Sequence, residues 1–438
     1  MSTSVFDSTI HRDLFSDAEV ARLLSDSAEV RAMMLVLGAL AKVQGAAGVI
    51  PEISGAFLHR ATMEIQIDPM GLAGANGVVV PGLVAAMRDA LEAPEHAQYL
   101  HWGATSQDIQ DTAQSLRLRQ VLALMEGRLR DLLTVLTDLA EAHAETPQAA
   151  RTYGQFAVPS SFGALVAGWG WPVIRLLERL PDLRDYALCV SLSGAAGTAS
   201  QLGPDPAALR AALAEALGLS DPKQSWHADR ARIIEIAGWL SGAAVAMGKI
   251  GEDVLRLSRS DVGEVRIGGA GASSTMPQKQ NPVAASALVA LARMAPAQVA
   301  AMSVPHGEAR DGAAWFTEWL TLPPLVSASA RASALAIDLA RNITADADAM
   351  AAHLQDPLGL IHAETLSFAL TATLRRPDAQ AEVKRLTKEA IAHNRPLPDL
   401  VTEAHPDAPL PPLTPPQSLG QAPAEARAFA QAARAHLA

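Results

Sequence analysis

A chain of 438 residues, 49 % of them apolar and 18 % charged, has the composition of a folded protein with a large core rather than of a disordered one. Aromatic residues make up only 4 %, which favours packed helices over a β-sandwich. A net charge of −11, from 35 basic and 46 acidic residues, disfavours nucleic acid or an anionic membrane as the main partner.

In chain order, residues 1–12 lack a basic start followed by an apolar core, so no signal peptide is expected. Residues 1–110 read as an N-terminal domain of shorter helices, punctuated by Pro51, Pro69, Gly71, Gly74, Gly77, Pro81 and Pro94. The domain ends in the polar stretch YLHWGATSQDIQDT, Tyr99–Thr112. Gly103 permits a tight turn, Thr105 and Ser106 stand where a long helix begins, and Asp108 and Asp111 complement its dipole. His101, Thr105 and Ser106 place donors at that N-terminus, as a bound carboxylate requires. A well-capped helix start explains the same residues without a ligand.

Residues 111–350 read as a central domain of long helices. Leu118, Val121, Leu122, Met125, Leu129, Leu132, Leu133 and Leu136 form an apolar stripe at helical spacing. A polar segment, RTYGQFAVPSSFG (Arg151–Gly163), follows, and further helical stretches are predicted at about 158–180, 205–218, 226–262, 282–304 and 316–350. Ile233–Ile250 is apolar almost all round and needs neighbours on several sides, as in the core of a helix bundle. The longest uncharged apolar run, near Ile236–Gly248, is shorter than the roughly 20 residues of a membrane span, so no membrane partner is expected. The lone cysteine, Cys189, excludes an intramolecular disulfide framework and suits a reducing cytoplasm.

Gly263–Pro282 reads GEVRIGGAGASSTMPQKQNP. Glycines 268, 269 and 271 precede the hydroxyls of Ser273, Ser274 and Thr275, then Lys279 and Asn281. Asn281-Pro282 is expected to cap the next helix, with the proline in its first turn. A lysine and several hydroxyls beside a helix N-terminus make an anion site; a solvated interhelical loop is the alternative. Beyond it, Arg310 is either a two-pronged carboxylate clamp or half of an interhelical salt bridge. Residues 351–438 form a C-terminal domain of small helices, in which the proline-rich segment 396–416 precedes a last Ala-rich helix. The histidines show no metal-ligand spacing, so no metal is expected.

The run Ser273-Ser274-Thr275-Met276-Pro277-Gln278-Lys279-Gln280-Asn281 resembles the G-S-S-x-M-P-x-K-x-N signature of the fumarase/aspartase superfamily, with Ala272 in place of the opening glycine. His101–Asp108 resembles its H-x-G-A-T-S-x-D element, and Arg151–Gly163 its R-T-H-x-Q-x-A-x-P-x-T-x-G element. Thr275 and the Gln-Lys-Gln-Asn-Pro run resemble the 3-carboxy-cis,cis-muconate cycloisomerase branch, as do Trp226-His227 with Arg230 and the segment His306–Arg310.

In many lyases of the superfamily a histidine follows the threonine of the third element; here it is Tyr153, and Phe156 occupies a second position that is histidine in other members. A leaving amine, with a conjugate-acid pKa of roughly 8–10, needs a proton as it departs, whereas a carboxylate of pKa about 4 leaves as the anion. The absence of imidazole at both positions therefore fits lactone chemistry better than amine elimination.

The resemblance implies an all-α, three-part protomer whose long helices form a twenty-helix core in a homotetramer, with active sites shared between subunits. It implies a cytoplasmic cycloisomerase that acts on a small tricarboxylate, 3-carboxy-cis,cis-muconate, in protocatechuate breakdown by the β-ketoadipate route. Ser273 would be the proton donor, with Lys279 and Asn281 holding the carboxylate on which charge accumulates. His101, Thr105, Ser106, Thr152, Gln155 and Arg310 would bind the other carboxylates. No cofactor is expected, because the substrate supplies both nucleophile and electron sink. The alternatives are a fumarate-releasing lyase of adenylosuccinate or argininosuccinate type and a non-catalytic structural homologue.

Overall fold

The computed structural model describes residues 4–269, 271, 272, 275, 276 and 279–438. Among them are seventeen α-helices and three two-stranded β-pairings, so the chain is all-α in class. It divides into two compact units: residues 1–129, 175–248 and 287–334 in the first, and 130–174, 249–286 and 335–438 in the second. Every junction between these segments falls inside a helix.

In the first unit, Ser25 caps the helix Asp26–Ala46 by accepting from the Ala28 amide at 3.3 Å. That helix packs on Glu52–Glu64 at a glycine contact, where a Cβ on Gly55 would lie 2.5 Å from the Ala41 carbonyl oxygen. Met33, Leu37, Leu40, Leu58, Leu83 and Met87 fill the interior around this crossing and are fully buried. Helix Ser106–Ala142 begins in this unit, and the apolar stripe read from Leu118 to Leu136 is buried along its whole length.

In the second unit, strands Pro147–Thr152 and Gln155–Ser161 form a hairpin, where the sequence shows no alternation to announce one. Its tip, Tyr153-Gly154, has φ of 52° and 75°, the paired left-handed residues of a tight two-residue turn. Phe429 of the last helix, Ala422–Leu437, lies where a side chain on Gly170 would sit, which brings it close to helix Phe162–Ala187. Leu366, Leu370, Leu386, Leu397 and Val401 form a smaller core in the C-terminal segment.

The predicted stretches appear as helices Phe162–Ala187, Pro206–Leu217, Ala231–Leu257, Val283–Met302 and Gly312–Asn342. Two expectations need correction. Asn281 does not cap its helix: it pairs with Gly271 in a short antiparallel strand, and Pro282 occupies the cap, its carbonyl accepting from Ser286 N–H at 3.0 Å. The length argument against membrane spans also fails. Ala231–Leu257, Val283–Met302 and Gly312–Asn342 are each long and apolar enough to cross a membrane, because a span tolerates the one or two charges that end an uncharged run. Within the structure 61, 39 and 67 % of their apolar windows are buried.

Candidate active site

The first unit holds His101, Thr105, Ser106 and Arg310. His101 and Gly103 both adopt positive φ, 67° and 71°, and reverse the chain before helix Ser106–Ala142. Only glycine fits at 103, where a Cβ would lie 2.4 Å from the Gln201 carbonyl oxygen. The Asp108 carboxylate reaches back to the Thr105 amide at 3.0 Å, half of a capping box. The same buried carboxylate accepts from Ser193 N–H (3.0 Å), Gly194 N–H (2.9 Å) and Ser191 Oγ (3.2 Å), and meets His227 Nε2 at 2.8 Å. Asp108 thus fixes the helix start that carries Thr105 and Ser106.

Arg310, at φ 59°, donates from Nη1 to Thr105 Oγ1 at 2.6 Å, and among the described residues it has no carboxylate partner. Burial pushes the His101 imidazole down from its usual range, against the opposite pull of the Thr105 backbone and Asp108. It is neutral at pH 7, and its Nε2 is buried with no hydrogen-bond partner among the described residues. His227 is closed to substrate by burial and by Asp108.

A second buried cluster lies along the same helix. Arg230 donates to Asp111 from Nη1 (2.7 Å) and Nη2 (3.0 Å), and to Glu318 from Nε and Nη2 (both 2.7 Å). Its guanidinium stacks on Trp226 at 4.9 Å, and His306 Nε2 meets Glu318 at 3.2 Å. Burial opposes the charge on Arg230, but the two carboxylates override it and raise the pKa.

The second unit holds Thr152, Gln155, Lys279 and Asn281. Thr152 and Gln155 face each other across the hairpin tip, both exposed, with the fully exposed Tyr153 between them. Lys279 is exposed and Asn281 half-buried. Ser273 lies outside the described residues. Among the described residues, no group of three or more His, Cys, Asp or Glu side chains is placed to hold a metal ion.

A family model described as Lyase matches residues 31–299, more than half of the chain. The chain belongs to this lyase family, within the fumarase/aspartase superfamily. Among curated relatives, the 3-carboxy-cis,cis-muconate cycloisomerase of Pseudomonas aeruginosa is 37 % identical over 393 residues, 87 % of this chain and 86 % of that protein. A nitrosuccinate lyase of Streptomyces davaonensis is 34 % identical over 92 % of this chain and 88 % of its own. Among solved structures, the 3-carboxy-cis,cis-muconate lactonizing enzyme of Pseudomonas putida superposes with a TM-score of 0.89 at 31 % identity, over 98 % of this chain and all of that one.

Glu264 and His353 were not singled out. They lie 89 residues apart, and no motif spacing joins them. The only local signal was a carboxylate, Glu264, beside the glycine-rich segment.

Proposed function

We propose that this protein interconverts 3-carboxy-cis,cis-muconate and 4-carboxymuconolactone, as an isomerase of the intramolecular-lyase class. A substrate carboxylate oxygen adds to a ring-closing alkene carbon, and the alkene electron pair passes to the neighbouring carbon as an enediolate. Ser273 delivers a proton to that carbon, and in the opening direction its alkoxide removes it. Lys279 and Asn281 hold the carboxylate on which the enediolate charge collects. His101, Thr105, Ser106, Thr152, Gln155 and Arg310 bind the remaining carboxylates. The buried Nε2 of His101, without a partner among the described residues, supports its part in binding.

The observation that carries the reading is the hairpin tip. Thr152 and Gln155 flank Tyr153, and Phe156 follows, so neither position offers an imidazole to protonate a leaving amine. A carboxylate leaves without that help. The cycloisomerase relatives, at 32–37 % identity, support the same choice.

The division into 1–110, 111–350 and 351–438, a cytoplasmic location and a twenty-helix homotetramer with shared sites belong to this proposal. The tetramer is supported by helix Val283–Met302, whose apolar window is only 39 % buried within one chain. A second reading, elimination from a substituted succinate, is favoured by the 34 % identity to a nitrosuccinate lyase.

Loss of the muconate diene absorbance on adding purified protein tests the reaction. Activity that falls at least about 100-fold in Ser273→Ala and Lys279→Ala is the expected result. Release of fumarate from a succinyl substrate, with the diene untouched, gives the second reading instead. Unchanged turnover in Ser273→Ala sinks the assigned proton donor.

A further inference from the structure

The hairpin that presents Thr152 and Gln155 is gripped just behind its tip, at the cross-strand pair Arg151 and Phe156. Phe156, next to Gln155, is half-exposed, yet its ring has two partners. The Arg151 guanidinium lies 4.8 Å from the ring centroid, and the His353 imidazole lies 5.3 Å away at an interplanar angle of 34°. Arg151 and His353 converge again on one carboxylate. Glu264 takes Arg151 Nη1 at 3.1 Å on Oε2, Arg151 Nη2 on Oε1 and His353 Nδ1 at 2.5 Å on Oε1. Gln148 Nε2, from the first strand, adds a fourth bond at 2.8 Å.

Glu264 is completely buried, and both its oxygens are occupied. It stands immediately before strand Val265–Ile267, which pairs with Ile343–Ala345. His353 follows helix Ala347–Ala352, whose cap residue Asp346 donates its N–H to the Glu264 carbonyl at 2.9 Å and pairs with Arg266 at 2.6 Å. The charged groups around His353 are therefore Glu264 and Arg151 directly, with the Arg266–Asp346 pair beyond.

We propose that His353 is a positioning residue for the substrate-binding hairpin: it packs against Phe156, as Arg151 does, while bonded to Glu264, and so fixes the aim of Thr152 and Gln155. This rests on the assignment of those two residues to substrate carboxylates. The position demands both features of the imidazole. A flat ring must stack on Phe156, and an N–H at the δ position must donate to Glu264, in either charge state of the ring. Without His353, the hairpin keeps its ladder bonds, its left-handed Tyr153-Gly154 turn and the bonds of Arg151 and Gln148 to Glu264, but Phe156 loses the ring packed on it, which loosens the tolerance that orientation requires.

The test compares His353→Ala, His353→Asn and His353→Phe with the wild type in two measurements. In the diene assay, His353→Ala is expected to raise KM about 10-fold or more while kcat stays within a few-fold, because Thr152 and Gln155 act on bound carboxylates rather than on the reacting carbon. His353→Asn, which keeps a donor, and His353→Phe, which keeps the ring, should each recover part of that loss. Without substrate, hydrogen exchange at the Thr152 and Gln155 amides should speed up about 10-fold in His353→Ala. Should His353→Ala fail to fold, Phe156→Leu removes the same stack from the other side. Exchange and KM both within twofold of wild type would overturn the proposal. Faster exchange with unchanged KM would also overturn it, leaving His353 a structural role only. If the wild type never consumes the diene, the cycloisomerase reading falls while the exchange rates alone decide the grip on the hairpin.

Discussion

Arg230 sits between two carboxylates, Asp111 and Glu318, in a place that water does not reach. Removing one member of such a cluster costs far more than the cluster contributes as a whole, because the remaining charges stay buried without compensation. Arg230→Leu is therefore expected to lower stability by about 3–5 kcal/mol, read as a shift of the urea midpoint. By contrast, the pairs of Arg385 with Glu382 and Glu389 lie on an exposed helix face and contribute little, although they are just as short. A variant at either should leave the midpoint almost unmoved. If Arg230→Leu behaves like them, the buried cluster is not what secures helix Ser106–Ala142.

At the scale of elements, the hairpin Pro147–Ser161 depends on one ionised group. Burial alone would raise the Glu264 carboxyl, but bonds from Arg151, His353 and Gln148 outweigh it and hold the group below its usual 4.5. A carboxyl lowered by folding stabilises at pH values above its unfolded pKa and loses that contribution as the pH falls through its folded one. Protection of the hairpin amides should therefore be constant from neutral pH down to about 4.5 and decline below it, as exchange measured over that range will show. Protection that weakens already at pH 6 would show that Glu264 is not the group in control.

Helices and hairpin differ in how far they could be read beforehand. The stripe from Leu118 to Leu136 repeats at helical spacing because one helix must bury one face, so its pattern survives in the sequence. The capping residues Thr105 and Asp108 are three apart and were legible for the same local reason. The hairpin's side chains do not alternate, and its turn places a tyrosine where asparagine would be favoured. Arg310 reaches Thr105 across 205 residues, and His353 reaches Glu264 across 89; such pairings are set by packing, which no local window contains.

On the scale of the whole molecule, the uncovered apolar helices set an expectation about mass. Val283–Met302 carries a largely apolar window of which 39 % is buried, and Phe316 and Leu320 stand exposed on the following helix. Sedimentation should give a particle of four times the 45.9 kDa chain, and a stable monomer at micromolar concentration would remove the shared-site arrangement.

The way the two units interrupt each other has a consequence for synthesis. Each is assembled from three separate lengths of polypeptide, and every crossing from one to the other occurs in mid-helix. A ribosome that has released the first 300 residues has finished neither, since the first still waits for residues up to 334 and the second for residues 335–438. Nascent protein must therefore keep long greasy helices from straying for most of its translation, and a truncated gene product would yield no half that could stand alone.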